Sequence, residues 1–135
     1  VMAAAVADFR PETVGDHKIK RAGQASEISL PLAQNPDVLH ELVMARGVGA
    51  RPILVGFAAE TGDEAGDVLT HGRDKLARKG CDLLVVNDVS GGRAFGRPDN
   101  EVVILGSDGS RVDVPLTDKA AVADAVWDAV LIALG

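Results

Sequence analysis

The chain has 135 residues, enough for one domain with one core and too few for two ordinary domains, with 47% apolar and 25% charged residues. A formal net charge of −6 argues against general affinity for nucleic acid or anionic membrane, and no apolar run is long enough to span a bilayer. Cys81 is the only cysteine and His17, His40 and His71 lack metal-ligand spacing, so an internal disulfide and a four-cysteine zinc site are excluded; a cytoplasmic setting is expected.

Val1 to Ala7 is small and apolar throughout, the pattern of a strand buried on both faces. A chain that opens inside such a strand reads as a piece of something longer. Asp8 to Gly23 is polar, broken by Pro11 and Gly15, and carries Lys18, Lys20 and Arg21; it reads as an ordered loop. Ile28, Leu30 and Leu32 alternate with polar residues and Pro31, predicting an edge strand. Asn35-Pro36-Asp37 reads as a helix start with Asn35 as N-cap, and Val38, Leu39, Leu42 and Val43 form its apolar stripe up to Gly47.

Pro52 to Ala59 is a second buried strand. Asp63 to Lys79 reads as a helix with Ala65, Val68, Leu69, Gly72 and Leu76 inward, and Asp82 to Val86 as a third buried strand ending at Asn87. A glycine-rich, basic loop runs from Ser90 to Asn100. Glu101 to Leu105 and Arg111 to Leu116 flank Asp108-Gly109, a hairpin signal. A last helix spans about Asp118 to Leu134, with Val122, Ala125, Val126, Ala129, Val130 and Ala133 inward. The alternation predicts an α/β fold: a Rossmann-like three-layer sandwich with a mostly parallel sheet plus a C-terminal hairpin and helix. Such sheets bind ligands at the carboxyl ends of their strands, which points to Ala7-Asp8, Phe57 to Thr61 and Asn87-Asp88.

Lys75 and Lys79 are four residues apart and share a helix face. With the Lys18 cluster they would make a triphosphate site without a phosphate loop; lysines at this spacing are also common on solvated faces. Asp8, after a run of alanines, suits a hydroxyl or a water-held metal, or simply closes a turn. Phe57 is placed to stack on a base or to fill a core, and Asn87 to bond a ligand or cap a turn. Gly91, Gly92, Gly96, Arg93 and Arg97 suit a lid over phosphates or a surface loop. Neither a dinucleotide fingerprint, a phosphate loop nor a Gly-x-Ser-x-Gly elbow is present.

Taken in order, Ala3-Ala4-Ala5-Val6-Ala7-Asp8-Phe9-Arg10-Pro11, Lys18-Ile19-Lys20-Arg21, Asn35-Pro36-Asp37-Val38-Leu39, Val55-Gly56-Phe57-Ala58-Ala59-Glu60-Thr61, Lys75 to Lys79 and Asp82 to Val89 resemble one family over nearly the whole chain. It is the synthetase half of the bacterial bifunctional phosphopantothenoylcysteine decarboxylase/phosphopantothenate–cysteine ligases. The resemblance implies that residues 1–135 are the CTP-binding part of a ligase. In that family 4'-phosphopantothenate is activated by CTP as an acyl-cytidylate, and cysteine then displaces CMP. It implies nucleotide contacts from Met2, Ala3, Ala4, Asp8, Lys18, Pro36, Asp37, Val38, Leu39, Phe57, Lys75 and Lys79. Ala4, Ala5, Asp8 and Asn87 would approach phosphopantothenate, Lys18 would act on the acyl-cytidylate, and Mg2+ would accompany CTP.

The family's Lys-x-Lys-Lys motif ends here in Arg21, a planar fork in place of a movable ammonium. The family's first strand, glycine-rich turn and asparagine are not found in this sequence, nor is the flavin (FMN) decarboxylase half, so the segment is expected to bind CTP and to be inactive alone. Family members pair through this part of the fold, implying a dimer. Two other readings share the alternating pattern: a Rossmann-type oxidoreductase domain, and a nucleotide-binding or dimerisation module without activity of its own.

Overall fold

The computed structural model describes residues 1–17, 28–47, 51–64, 66–90 and 96–135. Lys18, Lys20, Arg21, Ala65, Gly91, Gly92 and Arg93 lie outside them. The chain divides into two compact units, Val1–Ala3 with Val38–Gly135, and Ala4–Asp37.

The larger unit is built on a four-stranded sheet of β3 (Val55–Glu60), β4 (Leu83–Asp88), β5 (Asp99–Gly106) and β6 (Arg111–Asp118), in that order. β3 and β4 are parallel, and the C-terminal hairpin β5–β6 continues the same sheet antiparallel. Successive strand side chains point to opposite faces, so β4 serves two cores. Leu83 and Val85 pack with Val122, Val126, Ala129 and Val130 of α3 (Lys119–Leu134). Leu84 and Val86 pack with Leu39 of α1 (Val38–Arg46) and Leu76 of α2 (Val68–Lys79). Helices on both faces make the expected three-layer α/β sandwich.

Local chemistry sets the element ends. Asp67 caps α2, its Oδ1 accepting the Thr70 N–H at 2.7 Å. The expected start at Asp63 is therefore corrected: Asp63 and Gly66 exchange backbone hydrogen bonds in a turn before the helix. Gly80, at φ 72°, stops α2 in a left-handed conformation that glycine adopts without strain. Asp118 caps α3 through Ala121 N–H at 2.9 Å. In α3 the expected inward Ala133 is exposed and Leu134 packs instead. In α1 only Leu39 and Val43 pack inward, four residues apart, while Val38 and Leu42 are exposed.

Two glycines set layer spacing. A Cβ on Gly72 of α2 would lie 2.8 Å from Val86 Cγ2, and one on Gly56 of β3 would lie 2.6 Å from Leu39 Cδ2. Helix and sheet backbones approach closely there because nothing projects between them.

The smaller unit is a two-stranded antiparallel ribbon, β1 (Phe9–Pro11) with β2 (Leu32–Gln34). Two expectations fail here. Ile28 to Pro31 is exposed and outside any strand, the ladder beginning at Leu32. Val1 to Ala7 is likewise not a strand, and apart from Met2 it is exposed. An apolar run becomes a strand only when neighbours take up its backbone groups. Met2 N–H finds Val55 O at 3.0 Å, and the Ala7 carbonyl is taken by the Asn35 side chain at 2.7 Å.

Candidate functional site

β3 and β4 end side by side, Ala59 opposite Asn87 and Glu60 opposite Asp88, and Val89 N–H donates to the Glu60 carbonyl at 3.0 Å. This pair of carboxyl ends is where an α/β sheet offers a ligand site. Lys75 reaches it from α2, which runs back along the sheet, and its ammonium is ion-paired to Glu60 Oε1. The two side chains are 28% and 16% exposed, so the pair is sheltered and not a free surface contact. Asn87 Oδ1 is buried and has no hydrogen-bond partner among the described residues. Asp88 Oδ1 accepts the Ser90 N–H at 2.8 Å and the Ser90 hydroxyl at 2.5 Å, which turns the chain away from β4.

Phe57 on β3 is 46% exposed. Its ring is outside the core and open to stacking. Leu39 is buried against Gly56, so its side chain belongs to the core and only its backbone remains for a ligand; Val38 beside it is exposed. Met2 donates to Val55 at the outer edge of β3 and packs on the α1–α2 side, while Ala3 is exposed. Lys79 stands one turn beyond Lys75 and is half-buried. Glu60, and Lys75 with it, lies on the α1–α2 face of the sheet, whereas Phe57 and Asn87 alternate onto the α3 face with Val55 and Val85. The structure therefore does not bring Lys75 into contact with either.

In the smaller unit Asn35 is a staple, not the expected N-cap. Its backbone N–H donates to the Asp8 carbonyl at 2.8 Å, its Nδ2 to the Ala7 carbonyl, and its Oδ1 accepts from the Arg10 guanidinium at 3.0 Å. α1 begins only at Val38. The staple holds Ala7 and Asp8 against Asn35, which Pro36 and Asp37 follow directly, while Ala4 and Ala5 are exposed. Lys18 lies outside the described residues.

Sequence reasoning passed over two charged pairs. Glu60 is the last residue of β3, and a carboxylate ending a buried strand was the available signal. Arg46 pairs with Asp82 Oδ2, which also accepts the Leu54 N–H at 2.6 Å, and Arg46 donates to the Pro52 carbonyl at 3.0 Å. That second knot ties α1 to the amino end of the sheet. Cys81 is 1% exposed, and burial pushes its thiol up, which removes it as a nucleophile. A hollow of about 300 Å³ lined by Leu76, Ala77, Cys81 and Gly106 lies at this amino end, opposite the Lys75 group.

A three-layer α/β sandwich with polar side chains collected at the carboxyl ends of adjacent parallel strands defines the class: a Rossmann-like domain. The chain belongs to the family of DNA/pantothenate metabolism flavoprotein C-terminal domains, whose pattern it matches over residues 1–133. It is 50% identical over 134 residues to the coenzyme A biosynthesis bifunctional protein CoaBC of Mycobacterium tuberculosis, covering 97% of this chain and 32% of that protein. The CoaBC of Vibrio cholerae is 40% identical over 127 residues, covering 93% and 30%. The crystal structure of the C-terminal domain of a CoaBC superposes with a TM-score of 0.69 at 27% identity, over 97% of this chain and 52% of that one. The chain therefore spans about a third of the length of the curated relatives it matches.

Proposed function

We propose that this chain is the CTP-binding part of a phosphopantothenate–cysteine ligase and acts in coenzyme A biosynthesis. The observation that carries the reading is the Lys75 ammonium held by Glu60 at the carboxyl ends of β3 and β4. Kinship with CoaBC proteins supports it. In this reading Lys75 and Lys79 take triphosphate oxygens, Phe57 stacks on the cytidine, and the Met2 to Ala4 and Pro36 to Leu39 segments bring backbone groups to the nucleotide. Ala4, Ala5, Asp8 and Asn87 approach phosphopantothenate.

The phosphopantothenate carboxylate attacks the α-phosphate of CTP, and the bond to the β-phosphate breaks, releasing pyrophosphate. Cysteine's amine then attacks the acyl carbon, and CMP leaves as the amide forms. Holding both substrates at one strand end turns a two-body encounter into an intramolecular step. Lysines on the departing phosphates stabilise charge that grows as the bond breaks. Among the described residues no three His, Cys, Asp or Glu side chains form a cation cage. Magnesium in this reading is carried by the triphosphate and water.

The test is product formation from CTP, 4'-phosphopantothenate and cysteine by a full-length ligase that carries this segment, since the segment alone is expected to be inactive. Lys18→Ala should leave folding intact and slow the appearance of phosphopantothenoylcysteine, with acyl-cytidylate handling impaired. Pyrophosphate release from ATP as fast as from CTP would contradict the assignment.

A second reading, a dimerisation role, is favoured by α3. Trp127, Leu131 and Ile132 are 57%, 64% and 79% exposed on one helix. Burying them against a second copy gives a homodimer that coexists with CTP binding, in a cytoplasmic setting; no described helix is long and apolar enough to cross a membrane.

A further inference from the structure

We propose that Glu60 is a positioning residue for Lys75: its carboxylate holds the ammonium beside the ends of β3 and β4 and leaves the remaining N–H donors for phosphate oxygens. The inference rests on the nucleotide reading above and adds to it a residue that reading does not use. Glu60 closes β3 in register with Asp88, and its backbone carbonyl is fixed by the Val89 N–H. The carboxylate therefore has little freedom. Its Oε1 is buried and lacks a hydrogen bond of ordinary geometry, and the Lys75 ammonium compensates its charge.

Lysine has a four-carbon stem and a strongly hydrated head, so on a helix it turns toward water unless something holds it. Here the holder is at the strand end, where the ligand is expected. An ammonium bound through one of its three N–H groups retains two for a phosphate. It also gives up less rotational freedom on binding than a lysine free in solvent. The Glu60 carboxylate opposes phosphate binding by repulsion, but the ammonium in contact with it offsets much of that charge.

A double-mutant cycle on the full chain, read by calorimetric titration with CTP, tests this. Glu60→Gln keeps the side-chain shape and removes the charge; thermal melts confirm that each variant folds. The expected result is a CTP Kd raised about fivefold by Glu60→Gln, about tenfold or more by Lys75→Ala, and no further by the two together. Equal effects of Glu60→Gln with and without Lys75, or none, would overturn the proposal while the nucleotide site stands. Tighter CTP binding by Glu60→Gln would show a competitor for the ammonium instead of its holder, and would also overturn it. CTP affinity unchanged by Lys75→Ala would overturn the nucleotide role of Lys75 and this inference together.

Discussion

Lys75 sits where a buried strand end meets a helix flank, and one side chain there has two duties. It neutralises Glu60 within the protein and, in the proposed function, meets phosphate. Lys75→Ala should weaken CTP binding by about 1.5–3 kcal/mol, the range of a charge-assisted hydrogen bond, as read by titration. The lysines were legible as residues four apart on one helix face. The pairing of Lys75 with Glu60 was not, because periodicity gives a face and not the partner met across it.

Three exposed carboxylates contribute to the acid sensitivity of the fold. A backbone N–H from Thr70 holds Asp67 below the usual carboxylate range; hydrogen bonds from Ser110 do so for Asp108 and from Arg111 for Asp113. A folded-state value below the unfolded one gives stability that is complete above about pH 4 and is lost as pH falls through the folded values. Thermal melts should thus be insensitive to these groups between pH 5 and 7, as order-of-magnitude bounds, and should decline below about pH 4. Cys81 should resist thiol reagents in the folded chain and react on denaturation, because only the thiolate attacks and burial disfavours it. Rapid native labelling would show that β4 opens.

At the scale of elements, the sequence pattern was most informative where one face repeats. The stripe Val122, Val126, Ala129 and Val130 of α3 and the apolar run of β4 were both read correctly. Element ends were less legible. Asp63 and Asp67 are both plausible caps, and only the observed hydrogen bond from Thr70 decides between them. Asn35 carries an N-cap signature, yet its side chain is spent on Ala7 and Arg10, a long-range competition no local window contains. Gly72→Ala tests the close packing of α2. Alanine gains about 1 kcal/mol of helix propensity. A Cβ 2.8 Å from the branched Val86 side chain on a central strand has no room to relax. Overpacking of this kind costs about 1–3 kcal/mol, so urea denaturation should show a net loss. A gain would mean the layers can separate.

For the whole molecule, the sandwich follows from two apolar clusters on opposite faces of one sheet. The continuous apolar runs of β3 and β4 signalled cover on both faces without saying which residues join which cluster. The opening segment misled because its composition says strand while its backbone partners, Val55 for Met2 and Asn35 for Ala7, do not form a ladder. Exposure of Trp127, Leu131 and Ile132 predicts self-association. Sedimentation should return twice the 14.0 kDa chain mass, and Trp127→Asp should reduce it to one.

Nucleotide choice is the most direct probe of the central claim that a cytidine triphosphate is held at the ends of β3 and β4. Calorimetric titration of the full chain with CTP and with ATP, each with magnesium, measures it. The account predicts saturable binding of CTP, at least about tenfold tighter than ATP, which is about 1.4 kcal/mol, with the heat lost in Lys75→Ala. Equal affinity for both nucleotides, or no binding of CTP, would contradict it.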